Sequence, residues 1–166
     1  TVGGVPGLLL TARNEAQCID LLSVDRVAVA ANPIVEFVVR VAANGSTNAV
    51  DLNFGLANGT SATDADAITE HILFHLDGGA LDIRAQAKDG TTTVAATDTT
   101  VDFTTGTAVA NRFELWIDAR DPANVKLYVD AVRVLSATTF RLDNAVGPLG
   151  VLAHLEKTAG TATAGP

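Results

Sequence analysis

The sequence predicts an all-β fold, an antiparallel two-sheet β-sandwich, and three observations carry that prediction. Short runs of alternating apolar and polar residues recur along the chain, the period-2 pattern of strands with one buried face. Between the runs stand Asn-Gly, Asp-Gly and Asp-Pro pairs, whose backbone preferences suit tight turns. Nothing alternates a strand with a long helical run, which argues against a doubly wound parallel sheet. The chain has 166 residues, 48% of them hydrophobic, enough for one domain with a sizeable core.

Thr1–Gly7 is Gly-rich and contains Pro6, so it reads as an extended arm. Thr158–Pro166 is a run of Thr, Ala and Gly closed by Pro and reads as a tail. The expected organisation is an arm over 1–10, a sandwich over 11–157 and a tail over 158–166. Cys18 stands beside Ile19, Leu21 and Leu22 and is expected to be a small buried hydrophobe. One cysteine forms no internal disulfide and no cysteine-based zinc site. The start at Thr1 without any Met predicts a removed initiator or a processed piece of a longer product.

Arg26–Ala31 is a short Val-rich stretch ended by Pro33. Val35–Ala43 follows as a strand with Val35, Phe37, Val39 and Val41 on one face. Asn44-Gly45-Ser46 is a turn, and Val50–Leu56 is the next strand. In the polar loop Asn58–Asp66, Thr63 or Asp64 is suited to cap a helical turn. Glu70–Leu76 reads as a strand because Asp77-Gly78-Gly79 follows at once. Leu81–Ala87 alternates, Lys88-Asp89-Gly90 turns, and Thr91–Thr97 completes a hairpin, with Thr99–Phe103 a weaker strand. Phe113–Asp118 turns Phe113, Leu115 and Ile117 inward and Glu114, Trp116 and Asp118 outward. An Asp121-Pro122 turn leads to Val125–Val129, Asp130-Ala131 to Val132–Leu135, and Val151–Glu156 closes the set.

The formal charge of -8 disfavours nucleic acid and anionic lipid. No apolar run approaches the roughly 20 residues that span a bilayer. His71 and His75 are four apart, but Ile72 stands where a zinc protease needs its Glu. His154 stands alone. Asp64 and Asp66 are the best of the weak calcium candidates, without the Asp-rich loop such a site wants. Gly3-Gly4 and Gly78-Gly79 precede no helix, so no phosphate loop is expected. No nucleophile elbow is present. Glu114, Trp116 and Asp118 could bind sugar by stacking or form an assembly surface. No catalytic residue and no cofactor is expected.

Phe113-Glu-Leu-Trp-Ile-Asp118, a short turn, and Val125-Lys-Leu-Tyr-Val-Asp130 resemble the late hairpin of concanavalin A-like and laminin-G-like jelly rolls. Ala131 replaces the Gly usual there. Phe74-x-x-Asp77-Gly78-Gly79 resembles an earlier strand of that fold. Within the group, the Ala/Thr/Gly-rich acidic composition and the ending from Gly147 resemble lectin-like structural proteins of tailed-phage virions. That resemblance implies a non-enzymatic capsid decoration or minor head protein at the virion surface, made in the host cytoplasm. Its expected partners are a major capsid protein and further copies of itself. Thr1, Val2, Val5, Pro6, Glu114, Trp116 and Asp118 are the expected assembly residues. The alternatives are a carbohydrate-binding lectin-like module and, behind it, a glycoside hydrolase.

Overall fold

A computed structural model describes residues 15–43 and 50–157. The expected arm with Thr1, Val2, Val5 and Pro6, the tail and the Asn44-Gly45-Ser46 turn lie outside the described residues. Among the described residues, ten strands form two antiparallel sheets. They are β1 (Gln17–Val27), β2 (Ile34–Val39), β3 (Val50–Ala57), β4 (Glu70–Leu76), β5 (Asp82–Asp89), β6 (Thr93–Asp102), β7 (Phe113–Asp118), β8 (Lys126–Val129), β9 (Val132–Val134) and β10 (Leu149–Lys157). The larger sheet runs β1-β10-β3-β4-β5-β6 and the smaller runs β2-β7-β8-β9. The two-sheet expectation therefore holds.

The core lies between the sheets. Leu52, Leu56, Ile72, Phe74, Leu76, Ile83 and Ala85 come from one side, and Phe113, Leu115, Ile117, Leu127 and Val129 from the other. These are the positions that period-2 alternation turned inward. Phe140 and Leu142, from the long β9–β10 connection, complete it. That connection is anchored by Glu70, a buried carboxylate. Glu70 accepts from the backbone N–H groups of Val146 at 2.9 Å and Gly147 at 3.3 Å, and from Asn58 Nδ2 at 3.2 Å.

Several expectations need correction. The Val-rich stretch Arg26–Ala31 is divided between the end of β1, which covers Gln17–Val27, and a 3-10 turn over Val29–Ala31. A register shift between Leu22 and Arg26 breaks the alternation that would have marked β1. The β2 strand stops at Val39. Thr91–Thr97 and Thr99–Phe103 are not two strands but one, β6, with register shifts against β5. Cys18 is half-buried, not a core hydrophobe; its Sγ–H donates to the Ser61 carbonyl at 3.6 Å.

A second, smaller apolar cluster lies on the outer face of the larger sheet: Ala57, Leu73 and Leu152 from the strands, Ala65 and Ile68 from the β3–β4 connection. The segment 58–69 therefore folds over that face as a cap. Its 3-10 turn Ala65–Ala67 starts at Asp64, whose Oδ1 accepts from Asp66 N–H at 2.8 Å. Asp64 is thus the predicted N-cap.

Candidate functional site

Cross-strand partners share a face of a sheet, so the registers define what each outer face presents. On the smaller sheet Glu36 pairs with Trp116, Trp116 with Tyr128, and Tyr128 with Arg133. The Trp116 and Tyr128 rings sit 6.3 Å apart, tilted at 49°. Glu114, Trp116 and Asp118 do share this face, as expected. Asp118 is buried and holds Arg120 in two hydrogen bonds, Nε to Oδ1 at 2.9 Å and Nη2 to Oδ2 at 2.8 Å. The Arg120 hydrogen bond holds its carboxyl below the usual carboxylate range, the wrong direction for a general acid. Glu114 and Asp118 lie four residues apart on an extended strand, roughly 13 Å. That exceeds the roughly 5–9.5 Å at which glycosidase carboxylates work.

The larger sheet carries a row that the sequence reading missed. Asp20 pairs with His154, His154 with Asn53, Asn53 with His75, His75 with Arg84, and Arg84 with Asp98. The row crosses all six strands on the face turned away from the core. The cap covers the apolar part of this face, at Leu73 and Leu152. The polar row lies two residues along from it, beside Asp51 and Glu156.

His154, expected to stand alone, is the best-held member. Its Nδ1 lies 2.7 Å from Asp20 Oδ1 and its Nε2 2.5 Å from Glu156 Oε2. Burial opposes charge on this ring, but the hydrogen bonds to Glu156 and Asp20 outweigh it and raise the pKa. Glu156 Oε2 also accepts from Ala65 N–H at 3.1 Å, so the same carboxylate ties the cap down. Asp51 accepts from Gly78 N–H at 3.0 Å, and burial raises its pKa. His75 Nδ1 sits 2.9 Å from Asn53 Oδ1 and, facing a carbonyl oxygen, is the donor. Arg84 Nη2 reaches Asp77 at 3.1 Å and Asp82 at 3.0 Å.

Two donors in the row are left over. Asn53 Nδ2 and Arg84 Nε are buried without a hydrogen-bond partner. Both lie within one strand of His75. The row thus sets amide, guanidinium, imidazole and carboxylate groups side by side on a rigid sheet, with Asn53 and His154 buried and His75 and Arg84 half-buried.

The other predicted site residues are not drawn together with this row. Asp64 and Asp66 are exposed on the cap, and the described residues hold no cluster of three or more His, Cys, Asp or Glu placed to bind a metal. His71 is in the same strand as His75, but its Nδ1 donates to the Ile68 carbonyl at 3.0 Å.

No protein-family model and no curated protein matches the chain. Solved structures do. A GH16 protein of a Bacteroides ovatus mixed linkage glucan locus, solved with a product bound, superposes with a TM-score of 0.55 at 13% identity, covering 95% of this chain and 72% of that one. The carbohydrate-binding module CBM66 from Bacillus subtilis gives 0.45 at 16% identity, over 93% and 84%. A human SPRY domain gives 0.48 at 12%, over 97% and 92%. The chain therefore has the lectin-like jelly-roll fold that the Phe113–Asp130 hairpin resembled. Nothing in these comparisons supports the virion setting.

Proposed function

We propose that the protein is a non-catalytic, lectin-like module that binds a glycan along the Asp20–His154–Asn53–His75–Arg84–Asp98 row. The observation that carries this reading is the pair of buried, unpartnered donors, Asn53 Nδ2 and Arg84 Nε, at the middle of the row. An orphaned buried donor costs about 1–3 kcal/mol, and of the two only Arg84 belongs to a side chain open to solvent, 32% exposed, with half-buried His75 beside it, so a ligand oxygen enters there. Sugar hydroxyls both donate and accept, and they suit a surface that mixes amides, imidazoles and carboxylates. The net charge of -8 favours a neutral glycan over an anionic one. The GH16 protein sharing the fold acts in a mixed linkage glucan system by its description, which makes that polymer the first probe.

Affinity electrophoresis through gels containing mixed linkage β-glucan, followed by a neutral glycan array, tests the reading. The wild-type chain is expected to be retarded or captured. Asn53→Ala and His75→Ala are expected to weaken capture about tenfold, the scale of one lost central contact, with unchanged circular dichroism. Equal capture of variants and wild type, or no glycan captured at all, overturns it.

A further inference from the structure

A cavity of about 110 Å³ opens where the cap meets β4, β5 and β6. Asp66 lines it from the cap, His71 from β4, Gln86 and Lys88 from β5, and Thr93 and Val94 from β6. It lies on the same outer face as the polar row, since Gln86 follows Arg84 by two residues along β5. The cap covers Leu73 and Leu152 on the neighbouring part of the same face.

Its wall is chemically specific. Gln86 is only 2% exposed, and its Nε2 is buried with no hydrogen-bond partner. His71 is 3% exposed. Its Nδ1 donates to the Ile68 carbonyl, which fixes the tautomer and leaves Nε2 as an acceptor. Burial lowers the pKa of His71, and the neutral ring keeps that acceptor. A buried donor and acceptor therefore belong to one small wall, with an ammonium and a carboxylate on the more exposed residues Lys88 and Asp66. A water occupies roughly 10–15 Å³ by this measure, and a void of about 150 Å³ takes a six-membered carbon ring. The space thus suits much of one ring.

We propose that this cavity receives the terminal sugar residue of a glycan chain, one hydroxyl accepting from Gln86 Nε2 and another donating to His71 Nε2. The inference rests on the glycan-binding reading and sharpens it: the module recognises chain ends, not only chain interiors.

The test is a nuclear magnetic resonance titration of the full chain. Free glucose, galactose, mannose and N-acetylglucosamine are added separately while the Gln86 side-chain amide and His71 ring signals are followed. At least one sugar is expected to shift both. Gln86→Leu, close to isosteric and relieved of an orphan donor, is expected to fold as stably as wild type and bind that sugar about tenfold more weakly. If no sugar moves these signals, or Gln86→Leu binds equally well, the cavity assignment fails. Mixed linkage β-glucan held by wild type and lost by Asn53→Ala, with no free sugar shifting the Gln86 and His71 signals, would refute the cavity and leave the row. A monosaccharide in the cavity with no polymer bound would refute the row alone.

Discussion

His154 and His71 are two buried imidazoles on one sheet face with opposite demands on a proton. His154 faces carboxylates through both ring nitrogens, so the folded chain favours its charged form and its pKa is raised. Its support is complete below the ordinary value near 6.5 and is lost as pH rises through the raised folded value. His71 has a lowered pKa through burial. Its support is complete above about 6.5 and is lost as pH falls through the lowered folded value. His154→Gln is expected to cost about 2 kcal/mol in mildly acidic solution, by leaving Asp20 and Glu156 without their cation, and less as pH rises. Urea unfolding midpoints from mildly acidic to mildly alkaline pH check this; parallel curves for variant and wild type would refute it. None of this was legible in the sequence, because the row takes one residue from each of six strands, at 20, 53, 75, 84, 98 and 154. Such spacing forms no motif. The available signal was that Asn53, His75, Arg84 and His154 are polar at alternate positions of strands otherwise rich in apolar residues. A lone Trp between two carboxylates, as at Trp116, is by contrast conspicuous within a single strand.

Some turns and strands of this fold leave a plain mark in the sequence and others do not, for physical reasons that differ by element. The bounds of β4 and β7 match the alternating runs Glu70–Leu76 and Phe113–Asp118. The β1 and β6 strands were misread because bulges displace the period and a Thr-rich strand shows little contrast between faces. The Asp130-Ala131 connection was read correctly as tight. Both residues adopt positive φ, 47° and 63°, the geometry of a two-residue turn that prefers Asn-Gly or Asp-Gly. Ala131 therefore occupies a conformation an L side chain resists. Ala131→Gly is expected to stabilise the fold by about 0.5–1 kcal/mol in urea unfolding, with the sheet unchanged. A destabilised variant would show that the backbone there differs from the described turn.

At the scale of the whole molecule, the larger sheet is assembled from the two ends of the described chain and its middle. The β10 strand enters between β1 and β3, pairing residues such as Cys18 and Glu156 that are far apart in sequence. Loop-closure entropy must be met before such pairs form, so refolding is expected in milliseconds to seconds, not microseconds. Stopped-flow fluorescence of Trp116 measures it, and a microsecond phase carrying the full amplitude would contradict the topology. The sandwich class was legible because alternation reports burial, whereas strand order across a sheet leaves no local mark.

Gln17 and Lys157 are register partners at the first and last residues of the described sandwich, a few ångströms apart by the geometry of antiparallel pairs. The described strands thus begin and end side by side. The sandwich can be spliced into a surface loop of an unrelated host protein, with both joints side by side and little stretch asked of the host. Joining the two ends by a short linker would allow the chain to be reopened elsewhere, for example between β6 and β7. A sugar-recognising surface on such a cassette would be carried as a transferable part.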